Sequence, residues 1–103
     1  MAICQIAHNP SQTSEQADQI FAHLRATGPV PPDGARLMVA GPADQGYRVV
    51  TVWDSNEARE RFLEERLAAA YEATGLSMDD LERTVFAVRT LVAGDLAGTP
   101  QPA

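Results

Sequence analysis

The chain has 103 residues, 45% of them apolar and 21% charged, with a formal net charge of −6. That length suits one domain with a single modest core. An acidic chain whose eight basic residues are all arginine lacks the broad basic surface that nucleic acid or an anionic membrane requires, so neither is expected as a partner. One cysteine, Cys4, cannot form an internal disulfide, and with only His8 and His23 beside it there is no clustered donor set; no metal and no cofactor are expected. No apolar run approaches membrane length and no charged-then-hydrophobic leader opens the chain, which predicts a cytoplasmic protein.

In chain order, residues 2–8 (AICQIAH) predict a short first strand, stopped by Asn9-Pro10-Ser11. Thr13 with Gln16 has the form of a capping box, and Ala17, Ile20, Phe21 and Leu24 follow at helical spacing until Gly28-Pro29. Residues 36–40 predict a second strand, and the Gly- and Pro-rich segment 41–46 a turn. Tyr47 to Trp53 (YRVVTVW) is β-branched and aromatic and predicts the strongest strand. Asp54 with Glu57 is read as the cap of a second helix that runs to about Thr74 and ends at Gly75. Ser77 with Asp80 suggests a short helical turn, and residues 84–92 (TVFAVRTLV) a last strand. The Gly-, Pro- and Ala-rich residues 93–103 are expected to form a loose tail after a single domain at 1–92.

The order β-α-β-β-α-β is the split βαβ arrangement, an α+β ferredoxin-like fold with an antiparallel sheet. In the third strand Tyr47, Val49 and Trp53 alternate with Val50 and Val52, so both sheet faces need cover. Two helices cover one face. The other calls for a second copy of the chain.

The second helix carries an anomaly. At about 100° per residue, Ala58, Phe62, Leu63, Leu67, Ala70 and Tyr71 form an apolar face, and Arg59 and Arg66 fall inside it, two turns apart on one stripe. A buried guanidinium costs several kcal/mol, on the order of the desolvation penalty, unless it meets acceptors. The pattern therefore predicts a pocket beneath this helix, or else long stems lying on apolar surface with their heads in water.

The segment Gly46 to Ser55 (GYRVVTVWDS), with Glu57, Ala58, Phe62 and then Glu65-Arg66-Leu67, resembles the dimeric α/β-barrel superfamily. Within it, the resemblance is to small actinobacterial proteins grouped with the antibiotic-biosynthesis monooxygenases. It spans residues 2–92 in layout and 46–67 in recognisable sequence. The resemblance implies a homodimer whose two sheets close face to face into a barrel, with a ligand cavity between the sheet and the helices of each subunit. It also implies a functionally mixed company of cofactor-free oxygenases, haem-degrading enzymes, cyclases and isomerases, so fold alone does not assign a reaction.

The candidate substrate-binding residues are Trp53, Tyr71 and Phe62. The resemblance implies that Trp53 lines the cavity, where its ring can stack on a flat ligand; the alternative is ordinary core packing on the second helix. The candidate catalytic residues are Arg66, Arg89 and His8; Arg66, mid-helix, either contacts a ligand or forms a structural ion pair. An inward Arg89 on the last strand would steady an enolate or peroxide, or else join a cross-strand ion pair. His8, at the end of the first strand on the face of Cys4 and Ile6, would poise a proton or bind a phenolate, or else sit exposed in a loop. Haem-degrading relatives use an Asn, a Trp and an axial His from the second helix. Asn9 and Trp53 match loosely, but that helix contains no His, and haem is not expected. The function this points to is a small cofactor-independent enzyme, a monooxygenase acting on an aromatic or polyketide-like metabolite. Alternatives are a non-catalytic dimeric ligand-binding or accessory protein, or a cyclase or isomerase on the same scaffold.

Overall fold

The computed structural model describes residues 1–92 and 94; the tail expected at 93–103 lies, Gly94 apart, outside the described residues. The elements are β1 (Ile3–Asn9), α1 (Ser14–Thr27), β2 (Ala35–Pro42), β3 (Tyr47–Trp53), a second helix in three stretches, and β4 (Glu82–Ala87). That second helix begins as α2 (Asn56–Arg61), widens into a π-helical segment (Phe62–Leu67) and continues as α3 (Ala68–Thr74). The sheet has the order β2-β3-β1-β4 and every pairing is antiparallel. This is the ferredoxin-like α+β fold that the strand and helix order predicts.

Local chemistry explains most boundaries. Thr13 caps α1 through the reciprocal pair expected of a capping box: Gln16 N–H donates to Thr13 Oγ1 at 3.2 Å, and Thr13 N–H donates to Gln16 Oε1 at 3.0 Å. Gly75, at φ +71°, closes α3 in the left-handed conformation that favours glycine. The second helix is capped one residue later than expected. Ser55 accepts from Ala58 N–H, while Asp54 is drawn out to Arg36, whose Nε lies 2.9 Å from its Oδ1. The turn expected at Ser77–Arg83 is not helical: Ser77 Oγ accepts from Asp79 N–H, a local bend that leads straight into β4. β4 itself starts two residues early and stops at Ala87, short of the predicted Val92.

Antiparallel register assigns the two faces of the sheet. Cys4 pairs with Val52, Ile6 with Val50 and His8 with Arg48, and these alternate with Gln5, Ala7 and Asn9 opposite Thr51, Val49 and Tyr47. The second set faces the helices. The core sits there: Trp53, 1% exposed, packs with Ile20 and Leu24 of α1 and with Phe62, Leu63, Ala70 and Tyr71 of the second helix. Trp53 and Phe62 rings lie 5.3 Å apart at 41°, within the range of favourable tilted aromatic contact. The opposite face presents Val39 and Phe86 at 55% and 49% exposure, with no element over it among the described residues.

Candidate functional site: a cavity between the sheet and the helices

An apolar cavity of about 60 Å³ lies between the sheet and both helices. Val49 and Trp53 of β3 and Met38 of β2 form much of its floor; Phe21 and Leu24 of α1 and Phe62, Leu67 and Tyr71 of the second helix cover it. Few polar groups interrupt this lining, and they gather at two places. Toward the Pro10 end, Asn9, Gln12 and Tyr71 meet: the Tyr71 hydroxyl donates to Gln12 Oε1 at 3.1 Å. Asn9, 4% exposed, is tied down by Ser11, whose N–H and hydroxyl both donate to its Oδ1, at 3.2 and 3.0 Å. The Ser11 hydroxyl also lies 3.2 Å from Asp80 Oδ2, so the β1–α1 and α3–β4 loops meet at this end.

The second polar place is Gln5, four residues, or about 13 Å along the strand, from Asn9. Its carbonyl oxygen accepts from Arg59 Nη1 at 2.9 Å, and the glutamine is 6% exposed. Diagonally across the β1–β3 ladder stands Trp53, whose indole Nε1 is buried without a hydrogen-bond partner. Such an unpaired buried donor is a cost to the fold.

Burial pushes the Tyr71 phenol above its ordinary value near 10; the hydrogen bond from Asn9 and the positive Arg83 pull the other way and do not cancel it. Tyr71 therefore stays a neutral hydrogen-bond donor across the physiological range. Burial likewise raises the Cys4 thiol, on the other sheet face, which keeps it protonated.

The structure divides the expected site residues. Trp53, Tyr71 and Phe62 come together in the cavity lining. His8 does not: parity puts it on the opposite face, where Nε2 lies 2.8 Å from Gln45 O and Nδ1 3.9 Å from Glu82 Oε2. Arg89 falls in an exposed bend beyond the end of β4, not on a strand, so it does not face inward.

Arg66 also requires correction. Its Nη2 donates to Leu24 O and its Nη1 to Pro29 O, both at 2.7 Å, so it ties the second helix to the end of α1 rather than reaching the cavity over the sheet. It lines a separate hollow of about 150 Å³ beside Gly28, Pro32 and Arg61; only Phe62 is shared between the two. The single pocket expected to hold Arg66 and Trp53 together is therefore two. The reason is the π segment, whose i→i+5 bonding breaks the 100° count on which the stripe was drawn. Arg59 turns to the sheet, and Arg66 to α1.

Gln5, Asn9 and Gln12 were not among the expected ligand-facing residues. Parity from Trp53 selects the odd residues of β1 once the register is known, but nothing in the sequence fixes that register. Neither histidine lies in the cavity lining. Among the described residues no group of three or more His, Cys, Asp or Glu is placed to hold a metal ion, and no helix is long and apolar enough to cross a membrane.

No family model matches the chain, and no curated protein matches it by sequence. Solved structures do share its fold. SnoaB, a cofactor-independent oxygenase from Streptomyces nogalater, aligns over 90% of this chain and 97% of its own, with 17% identity and a TM-score of 0.60. MhuD, crystallised with two manganese protoporphyrin IX bound per active site, aligns over 89% of this chain and 99% of its own, with 20% identity and a TM-score of 0.64. A dimeric ferredoxin-like protein of unknown function from Thermobifida fusca aligns over 85% and 92%, with 18% identity and a TM-score of 0.63. The resemblance to the dimeric α/β-barrel superfamily drawn from residues 46–67 thus agrees with the fold.

Proposed function

We propose that the chain is a homodimeric, cofactor-independent monooxygenase that takes a small flat aromatic or polyketide-like metabolite into the cavity between its sheet and helices. The observation that carries this reading is the cavity itself. It is apolar, walled by a buried indole, and furnished with a few convergent polar groups, the usual form of a small-molecule site. SnoaB, which shares the fold, supports the class of reaction.

The chemistry such a site can supply is modest and sufficient. An electron-rich phenolate or enolate reduces oxygen itself; the carbon that becomes oxygenated first carries a hydroperoxide, which loses water to leave a carbonyl. The protein holds the ring against Trp53, excludes bulk water, and offers the neutral Tyr71 hydroxyl, which turns from Gln12 to donate to the developing peroxide. The cavity is well below the ~300–1,000 Å³ of ordinary ligand sites, so entry of a multi-ring substrate requires Phe21 or Leu67 to move outward.

Oxygen uptake tests the reading. With anthrone as substrate, the protein should consume oxygen and yield the corresponding quinone, and Trp53→Ala should lose the rate. Saturable binding of anthrone with no uptake above the protein-free rate would refute the oxygenase assignment.

A further inference from the structure

We propose that Arg59 is a positioning residue that fixes the orientation of the Gln5 amide, so that Gln5 presents its NH2 to the cavity and favours ligands bearing an acceptor oxygen there. This rests on the reading that the cavity binds an aromatic ligand, and adds which functional group is recognised.

The argument starts from the amide. The two ends of a glutamine side chain are interchangeable in shape, and its neighbours decide which end is which. Arg59 carries donors and no acceptor, so the Gln5 atom 2.9 Å from its Nη1 must be the carbonyl oxygen. The amide NH2 is left on the other branch of a side chain that lines the cavity, and among the described residues no partner for it is found.

Arg59 is well held for this task. Its side chain is only 14% exposed; Nε donates to Asn56 Oδ1 at 3.0 Å, and Nη2 lies 3.9 Å from Glu60 Oε1. Asn56 in turn donates to that same Glu60 oxygen at 3.0 Å. A guanidinium anchored at three points cannot release Gln5 to rotate its oxygen inward. A carbonyl or anionic enolate oxygen would answer this amide donor. The Thr51 hydroxyl, opposite Gln5 in the ladder, can donate or accept, so the preference comes from the fixed Gln5 amide.

The test compares two probes that differ only in one oxygen: 1-tetralone, a bicyclic ketone, and tetralin, its hydrocarbon. Trp53 is the only tryptophan in the chain and lines the cavity, so its fluorescence reads binding directly. The intact protein should bind tetralone about tenfold more tightly than tetralin, the size of one net hydrogen bond. The carbonyl stretch of bound tetralone should move to lower frequency.

Gln5→Glu keeps the shape and the Arg59 contact but replaces the donor by an acceptor. It should abolish the tetralone preference, read as the ratio of the two affinities measured on the same folded protein. Arg59→Met frees the amide to flip and should reduce the preference and the carbonyl shift. Arg59→Lys, which restores a donor to the Gln5 oxygen, should recover both. Equal affinity of the intact protein for the two probes, or an unchanged preference in a folded Gln5→Glu protein, would overturn this proposal alone. No saturable response to either ring system would overturn the aromatic-binding reading with it.

Discussion

Replacing Arg66 by leucine separates a structural arginine from a ligand-binding one. Two hydrogen bonds of 2.7 Å are lost, to Leu24 O at the end of α1 and to Pro29 O just after it. Bonds from a charged donor are worth about 1.5–3 kcal/mol each in favourable cases, and a cation at a helix C-terminus gains a further ~0.3–1 kcal/mol from the helix dipole. Three features reduce the total. Leu24 O retains the Gly28 N–H at 3.1 Å, Pro29 O can be taken up by water, and removing Arg66 also removes a buried Nε that has no partner. The guanidinium also stands 5.8 Å from the Phe62 ring centroid, a contact worth ~0.5–1 kcal/mol. The net expectation is a loss of about 2 kcal/mol, which for a domain of this size lowers the melting temperature by about 10 °C.

The assay is thermal and urea denaturation at one fixed protein concentration, since assembly shifts apparent stability. It is paired with the probe titration on the same sample. Affinity for tetralone should hold within about twofold, because Arg66 lies outside the lining of the cavity between sheet and helices. Gly28→Ala provides an internal check. Gly28 is extended at φ 170°, so a side chain costs no backbone strain, but its Cβ would stand 2.9 Å from Arg66 Cζ. The substitution should therefore destabilise the intact protein and be nearly neutral once Arg66 is leucine, a non-additivity characteristic of sites in contact. An Arg66→Leu protein that melts with the parent and loses probe affinity would refute this reasoning.

Gly46 and Gly75 both sit at positive φ, but a Cβ on Gly46 would fall on the backbone of Asn9 and Pro10, while one on Gly75 meets open space. Gly46→Ala should thus cost about 2 kcal/mol more than Gly75→Ala by denaturant unfolding, the scale of an overpacking clash added to a shared backbone strain. Because burial raises the folded-state value of Tyr71 above its ordinary 10, its contribution to stability is fully present below pH 10 and is lost as the pH rises toward and through the raised value. Unfolding measured between pH 8 and 11 should show a steeper alkaline loss for the intact protein than for Tyr71→Phe. The open sheet face carrying Val39 and Phe86 should bring two copies together. Sedimentation at micromolar concentration should give the dimer mass, and Phe86→Asp should shift it toward monomer; a stable compact monomer of the parent would remove the barrel from the proposal.

The parts legible in the sequence were those whose signals are local. Alternation along Tyr47–Trp53 gives the strand and places Trp53 on one face with Tyr47 and Val49. Thr13 with Gln16 gives the start of α1, and the glycines give its end and that of the second helix. Cap competition was less legible. Asp54 and Ser55 are both good N-cap residues, and Ser55 is used because Arg36, from a neighbouring strand, engages Asp54. Likewise β4 ends at Ala87 because β1, its only ladder partner in the sheet, begins at Ile3, where the two are paired. Val88 adds one last rung to Ala2 O, and Arg89 is left beyond the sheet.

The two arginines show most clearly why a site can be sensed and still be drawn wrongly. The inference that Arg59 and Arg66 need acceptors was sound, since burial leaves a guanidinium no alternative. Both find them, one in a side-chain amide of the sheet and one in the carbonyls at the end of α1. What failed was the assumption of a uniform 3.6-residue period between positions 59 and 66. The π segment adds a residue to each hydrogen-bonded ring, and nothing in FLEERL announces it; its Phe62 and Leu63 join the core with Trp53, Ile20 and Leu24. One stripe of charge on a helical wheel thus becomes two separate tasks. Arg66 fastens the helix layer together, and Arg59 reaches beneath it to the residue that sets the chemistry of the cavity wall.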